Sequence, residues 1–153
     1  MGEGRMESRF SLPPVDVKRT SGSRRVLIVD DNIDAAEIMA VLLESLGHKV
    51  QTAHDGITGF EAARTFRPDV VLLDVGLPHM NGYEVARCLR RQPETAKVFL
   101  VALTGYGQEE DRRRSKEAGF DVHVLKPLGM DVLKSILAQS ESAARFEAAI
   151  EAG

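Results

Sequence analysis

Four residues suited to handling a phosphoryl group each stand at the end of a short apolar segment. They are Asp30, Asp74, Thr104 and Lys126, which close the segments 26–30, 70–74, 98–104 and 122–126. Apolar segments of this length are typical of parallel strands buried on both faces, and ligands bind beyond the carboxyl ends of such strands. We therefore expect the four side chains to meet at one edge of one sheet.

The carboxylates of this group predict a metal site. Asp31 follows Asp30 directly, so three carboxylates would converge with Asp74 at the same edge and repel one another. A hard divalent cation relieves this repulsion. Mg²⁺ prefers carboxylate oxygens, backbone carbonyls and water, often together with a phosphate oxygen. The sequence therefore predicts Mg²⁺ as the cofactor.

The other polar residues indicate the kind of reaction in which such a metal would take part. Lys126 offers a positive charge and Thr104 a hydroxyl donor to the oxygens of a phosphoryl group. Asp74 offers a carboxylate nucleophile, which would form an acyl phosphate. Taken singly, each residue also fits a turn, a helix cap or a strand end. Their joint order favours phosphoryl chemistry.

Composition narrows the class of protein. The chain has 153 residues, 43% hydrophobic and 28% charged, with a formal net charge of -3. This size suits one domain, and the charge gives no general attraction to nucleic acid. No apolar run reaches the roughly 18 residues of a membrane-spanning helix, so we expect a cytoplasmic protein with no membrane insertion. Cys88 is the sole cysteine and is interpreted as a small core residue.

The remaining histidines carry no metal signature. His48, His54 and His79 lack the spacing of metal ligands, so we assign all three to the surface or to turns.

Strand-like and helix-like segments alternate along the chain. The strand-like segments are 25–30, 49–53, 69–74, 97–104 and 121–126, and the helix-like segments are 33–46, 56–65, 83–91, 108–117 and 131–139. This alternation predicts an α/β fold with a doubly wound parallel sheet of five strands and five helices. Residues 1–24 are interpreted as a linker or tail, 25–139 as the domain, and 140–153 as a helical extension, either continuous with the last helix or separate from it.

Two helices carry further expectations. In the first, an apolar face is predicted from Ile38, Met39, Val41, Leu42 and Leu46, before a helix end at Gly47. The fourth, 108–117, has almost no apolar stripe and should sit shallowly on the sheet. Its Arg112-Arg113-Arg114 stretch fits either a solvated face or a recognition surface.

The motifs together resemble the receiver domain of two-component response regulators. The resemblance covers about 25–139 and rests on Val29-Asp30-Asp31-Asn32, Asp74-Val75-Gly76-Leu77-Pro78-His79-Met80-Asn81-Gly82, Ala102-Leu103-Thr104-Gly105 and Leu125-Lys126-Pro127. It implies a flavodoxin-like fold with strand order 2-1-3-4-5.

The resemblance also assigns roles to the site residues. It implies Asp74 as phosphoacceptor, with Mg²⁺ held by Asp31, Asp74 and the Gly76 carbonyl while Asp30 contributes through water. Lys126 would hold the phosphoryl group, and its bond to proline would be cis. The expected partner is a histidine kinase or a histidine phosphotransfer protein, and a homodimer is left open.

Signal transmission in similar proteins runs through a hydroxyl and an aromatic ring. Thr104 stands at the hydroxyl position, and His123 replaces the aromatic residue. The imidazole could turn inward or stay packed in place. Gly76 and Tyr106 occupy two variable positions that influence hydrolysis of the acyl phosphate in the family.

The context of the domain has two interpretations. Residues 2–13 resemble the end of a histidine kinase ATP-binding domain, which favours the carboxyl-terminal receiver of a hybrid sensor kinase. A stand-alone regulator is the main alternative. A magnesium-dependent phosphohydrolase using Asp74 is disfavoured, because such enzymes generally carry a second acid at the position of Gly76. A degenerate receiver is disfavoured because the site set is complete.

Overall fold

The computed structural model describes residues 23–105 and 109–152, with side chains for all of these except 109–111 and 145–152. Five strands alternate with five helices. The strands are β1 (Arg25–Val29), β2 (Lys49–Ala53), β3 (Val70–Asp74), β4 (Phe99–Thr104) and β5 (Val122–Leu125). The helices are α1 (Ile33–Ser45), α2 (Gly56–Phe66), α3 (Gly82–Arg91), α4 (Glu109–Ala118) and α5 (Met130–Ala152). Most of the tail and Tyr106 lie outside the described residues.

The strands form one parallel sheet in the order β2-β1-β3-β4-β5, which confirms the expected topology. Val29 pairs with Leu73 and with Ala53, and Asp74 pairs with Leu103. The carboxyl ends of the central strands are therefore level. This register brings the loops after β1, β3, β4 and β5 to one edge.

Each face of the sheet has its own apolar core. The core beneath α2, α3 and α4 includes Leu27, Val29, Ala63, Val71, Leu73, Val85, Leu89, Leu100 and Phe120. The core beneath α1 and α5 includes Val26, Ile28, Ala36, Met39, Leu43, Leu72, Val101, Leu103, Leu133 and Ile136. Successive side chains of a strand point to opposite faces of the sheet, so each central strand is buried on both faces.

The core face of α1 differs from the predicted one. Ala36, Met39 and Leu43 are buried, whereas Ile38 and Val41 are 62% and 63% exposed. Successive helical residues are turned by about 100°, so Ile38 and Val41 lie opposite the stripe that meets the sheet. The predicted face is confirmed for Met39 and Leu42, which belong to or pack against the core, and is wrong for Ile38 and Val41, because apolar residues occur on more than one side of this helix. Ile38 and Val41 therefore form an apolar surface that is exposed among the described residues.

Capping residues mark the start of the first three helices. Asn32 and Asp55 cap α1 and α2 by accepting hydrogen bonds from backbone N–H groups, and Asn81 forms a reciprocal capping box with Glu84 at α3. Gly47 adopts a left-handed conformation (φ 95°) after α1, as predicted. The three caps thus fix where the chain passes from the loop after β1, β2 or β3 into the following helix.

Helix α4 contacts the sheet through small side chains, in agreement with the shallow packing that its lack of an apolar stripe predicts. Its buried side chains among those described are Ser115 and Ala118. Arg114 is exposed but places its guanidinium 4.3 Å from the centre of the Tyr83 ring, so at least one arginine of the basic stretch contacts α3 of the same domain. Cys88 in α3 is half-buried, which corrects its assignment to the core. It lies about 100° around the helix from the buried residue Leu89, to one side of the face that meets the sheet.

The residues just before β1 are held by hydrogen bonds at the amino-terminal edge of the sheet. Ser23 and Arg24 fall within the predicted tail but are hydrogen-bonded to the domain. Ser23 Oγ donates to the Gly47 carbonyl, and the Arg24 backbone N–H donates to His48 Nδ1. The Arg24 guanidinium also donates to Ser140 Oγ at 2.7 Å. Burial, and then the Arg24 charge, lower the pKa of His48, and Glu141 partly opposes them.

The end of the chain continues one long helix. Helix α5 runs from Met130 to Ala152 without a break, so the predicted boundary at residue 139 falls inside it. Ser140, just past that boundary, is buried against the domain. Among the described residues, no helix is both long and apolar enough to cross a membrane.

Candidate functional site

Three carboxylates meet at the carboxyl edge of the sheet. One oxygen from each of Asp30, Asp31 and Asp74 lies within 4.8 Å of the others. Asp30 is fully buried, Asp74 is nearly so, and Asp31 faces solvent. The predicted cluster is therefore assembled, with one open side through which a ligand can enter.

Lys126 bridges the two buried carboxylates. Its Nζ lies 3.0 Å from Asp30 Oδ2 and 3.2 Å from Asp74 Oδ2. Burial alone would lower the pKa of Lys126, but the close carboxylates of Asp30 and Asp74 outweigh it and raise the pKa above its ordinary value. The lysine is thus a fixed positive charge against three negative ones. The peptide bond from Lys126 to Pro127 is cis, as expected.

Backbone donors orient the two buried carboxylates. The Asn32 N–H donates to Asp30 Oδ1 at 2.9 Å, and the Gly76 N–H donates to Asp74 Oδ1 at 2.8 Å. Asp30 Oδ2 is buried and accepts no well-directed hydrogen bond from the described residues, although the Lys126 ammonium is close. Oxygen atoms with this surplus of negative charge and spare acceptor capacity fit a hard divalent cation.

The loop after β3 packs too tightly to admit a side chain at Gly82. A Cβ there would lie 2.4 Å from the Asp74 carbonyl oxygen and 2.6 Å from the Val75 Cα. Gly82 therefore allows α3 to begin directly against the backbone of Asp74. The sequence motif contained this glycine, but nothing in its spacing revealed the close approach.

The described contacts of Thr104 and His123 are made with different residues. Thr104 is buried at the end of β4, where its carbonyl accepts the Lys126 N–H at 2.8 Å. His123 on β5 pairs in register with Ala102 on β4, and its Nδ1 is 3.0 Å from Ser115 Oγ on α4. Its Nε2 is buried and has no hydrogen-bond partner among the described atoms. The imidazole is packed against α4 rather than turned toward the acidic cluster.

Two of the remaining histidines border the edge of the sheet that carries the cluster. His79 is exposed in the loop after β3, with a left-handed backbone (φ 65°), in agreement with its assignment to a turn. His54 is half-buried, and its Nδ1 lies 2.9 Å from the Asp30 carbonyl oxygen. A carbonyl only accepts, so the imidazole donates this bond. Sequence reasoning missed this contact, because no metal-ligand spacing marks His54.

Known proteins with this arrangement are numerous. A family model described as the response regulator receiver domain matches residues 26–138. The transcriptional regulator RpaA of Synechocystis is 36% identical over 107 residues, which are 70% of this chain and 44% of RpaA. Protein PilH of Pseudomonas aeruginosa is 35% identical over 71% of this chain and 90% of PilH. The sensor histidine kinase RcsC of Salmonella typhimurium is 34% identical over 84% of this chain, but this chain spans only 13% of RcsC.

Solved structures agree with the sequence comparisons. The receiver domain of the sensor histidine kinase PA1611 from Pseudomonas aeruginosa superposes with a TM-score of 0.72 at 31% identity, covering 78% of this chain and 98% of that one. That crystal structure contains a magnesium ion coordinated in the active-site cleft. With the family model matching most of its length, this chain belongs to the response regulator receiver family and is a receiver domain of two-component signalling.

Proposed function

We propose that this receiver takes a phosphoryl group onto Asp74 from a phosphohistidine of a partner protein. A carboxylate oxygen of Asp74 attacks the phosphorus, the phosphorus–nitrogen bond breaks, and its electron pair returns to the donor imidazole. The product is an acyl phosphate on Asp74. The domain promotes its own modification and turns over no external substrate.

The site residues divide the work of this transfer. Asp31, Asp74 and the Gly76 carbonyl would hold Mg²⁺, and Asp30 would support it from its buried position. Bound Mg²⁺ would neutralise negative charge on the transferring phosphoryl oxygens. Lys126 supplies the second positive charge, since its ammonium already lies 3.2 Å from the Asp74 carboxylate. Gly76 contributes a backbone N–H that orients the Asp74 carboxylate for attack.

One observation carries the proposal: a lysine bridges two buried carboxylates beside a third, solvent-facing one. A merely structural ion pair needs one acid for one base. Here the surplus of negative charge destabilises the site unless a cation enters, and Asp74 is both oriented and reachable from the open side.

Incubation with acetyl phosphate tests the assignment. We expect the wild-type protein to gain one phosphoryl group by intact mass when Mg²⁺ is present, and none when EDTA replaces it. Asp74→Asn keeps the shape of the side chain but lacks the nucleophilic oxygen, so it should stay unmodified. An unmodified wild-type chain, or a fully modified Asp74→Asn chain, would refute the proposal.

Readout of phosphorylation is proposed to run through Thr104 and His123. The Thr104 hydroxyl, at the end of the strand next to Asp74, would donate to the phosphoryl group. His123 would then leave its contact with Ser115, which links β5 to α4. Moving the ring would break the contact between Nδ1 and Ser115 Oγ, whereas Nε2, which has no hydrogen-bond partner among the described atoms, would be able to gain one.

We propose that the phosphohistidine partner docks on the exposed apolar surface of α1. Ile33, Ile38 and Val41 are each more than half exposed. A groove beside them is lined by Ile38, Met39, Lys126, Pro127 and Leu128 among others, so it leads from α1 to the lysine of the site. An apolar helix seated there would bring an adjacent histidine to Asp74.

Selective loss of protein-dependent phosphorylation tests this surface. Ile38→Ser is expected to slow transfer from a phosphorylated histidine phosphotransfer protein about tenfold, because apolar contacts at the centre of an interface carry much of its affinity. Its modification by acetyl phosphate should be unchanged. Ile57→Ser is the matched control, since Ile57 is equally exposed (62%) but lies on α2. Equal rates for the Ile38 and Ile57 variants would contradict docking on α1.

The proposed setting is a hybrid sensor kinase. The resemblance to RcsC and to the PA1611 receiver favours it, whereas the 90% coverage of PilH supports the stand-alone alternative. The reading frame upstream of Gly2 distinguishes the two: a kinase core is expected there, and its absence would favour the stand-alone regulator.

A further inference from the structure

Strand β2 is tied to β1 by a histidine at each end. His48 precedes β2, and its Nδ1 accepts the Arg24 N–H at 3.0 Å. His54 follows β2, and its Nδ1 donates to the Asp30 carbonyl at 2.9 Å. Both bonds join residues that are 24 apart, which is the offset of the β1–β2 register from Arg25 with Lys49 to Val29 with Ala53. Each imidazole thus extends the ladder by one residue.

The bond from His54 reaches the backbone of the acidic cluster. The Asp30 N–H already donates to the Ala53 carbonyl at 3.0 Å, which is the last backbone bond between these two strands. The Asp30 carbonyl belongs to the peptide that leads into Asp31, where the chain leaves the strand. By holding this carbonyl, His54 sets the plane of that peptide and with it the direction in which the Asp31 side chain leaves the backbone.

The loop that carries His54 is itself firmly placed. Asp55 caps α2 by accepting the Thr58 N–H at 2.8 Å. Gly56 packs so closely on the loop after β3 that a Cβ there would lie 2.6 Å from the Met80 carbonyl oxygen. The imidazole is therefore held by a loop with little freedom to move, as a group that positions metal ligands must be.

We propose that His54 is a positioning residue of the metal site, acting through its hydrogen bond to the Asp30 carbonyl. In this role it would not itself be a ligand of the metal or a partner of the phosphoryl group. This inference rests on the proposed function, because it concerns the affinity of the Asp30, Asp31 and Asp74 cluster for Mg²⁺. Its consequence is that the cluster loses affinity for Mg²⁺ when the donor is removed, even though every carboxylate remains.

Variants at His54 separate the donor from the bulk of the ring. His54→Leu keeps much of the volume without a donor, and His54→Ala removes both. His54→Asn places an amide N–H near the position of Nδ1. His48→Leu is the matched control, because it deletes the equivalent imidazole bond at the opposite end of the same strand.

Mg²⁺ titrations followed by amide NMR shifts measure the affinity. We expect His54→Leu and His54→Ala to raise the Mg²⁺ Kd about three- to tenfold, and His54→Asn and His48→Leu to stay within about twofold of the wild type. At saturating Mg²⁺, modification of His54→Leu by acetyl phosphate should return to the wild-type rate.

Two results would overturn the role of His54. One is a wild-type Kd in both the leucine and the alanine variant. The other is an equal rise of Kd in His48→Leu, which would mean that general loosening of β2 is responsible. A wild-type protein that binds no Mg²⁺ would instead remove the proposed function itself, so the two failures are distinguishable.

Discussion

Replacing Lys126 with methionine is expected to cause both a loss of stability and a loss of phosphorylation. Methionine keeps most of the length of the side chain but removes the ammonium that lies 3.0 Å from Asp30 and 3.2 Å from Asp74. Two buried carboxylates then face each other without compensation. We expect the free energy of unfolding to fall by about 1–3 kcal/mol, below the usual cost of breaking a fully buried ion pair because the lysine is partly exposed. Phosphorylation by acetyl phosphate should slow at least about tenfold.

Chemical denaturation without Mg²⁺ and the rate of gain in mass measure the two effects separately. Lys134→Met is the control, because Lys134 is an exposed lysine on α5. It should leave both quantities near their wild-type values. If the Lys126 variant were as stable as the wild type and modified as fast, the lysine could not be the charge partner of the site.

Replacing Asp31 with asparagine is expected to have opposite effects with and without Mg²⁺. Without the metal, the variant should be more stable than the wild type by up to about 1 kcal/mol, because one of three carboxylates within 4.8 Å of each other has lost its charge. With Mg²⁺ at about ten times the wild-type Kd, the wild type should gain about 1.4 kcal/mol by linkage and the variant much less. The order of stability therefore reverses.

Thermal unfolding across a Mg²⁺ series displays this crossover. Asp34→Asn serves as the control, since Asp34 lies in the first turn of α1 and outside the cluster of three carboxylates. Its response to Mg²⁺ should match that of the wild type. An Asp31→Asn protein that is destabilised in EDTA would show that the Asp31 charge does not strain the metal-free site. One that responds fully to Mg²⁺ would show that Asp31 does not hold the metal.

Much of the fold could be predicted from the order of residue types. The apolar segments that end in Asp30, Asp74 and Thr104 became strands, and parallel pairing necessarily brings their carboxyl ends to one edge. The convergence of Asp30, Asp31, Asp74 and Lys126 followed from that arrangement alone. The sequence pattern is sufficient to predict the location of a site residue when that residue stands at the end of a strand.

Other features depend on packing that a one-dimensional pattern does not contain. The apolar residues of α1 extend around the helix, so periodicity could not decide whether Ile38 or Leu43 would meet the sheet. The bond from His54 to Asp30 needs the β1–β2 register, and the tight contact at Gly82 needs the path of the loop after β3. The position of the His123 ring depends on Ser115, a small residue of a different element.

The position of the phosphoryl group is the most direct test of the proposed chemistry. The protein is incubated with acetyl phosphate and Mg²⁺, the acyl phosphate is reduced with borohydride to leave a stable mark, and the labelled residue is located by peptide mass spectrometry. The proposed mechanism predicts the mark on Asp74, which is oriented by the Gly76 N–H and faces Lys126. A mark on Asp30 or Asp31, with Asp74 unmodified, would contradict it.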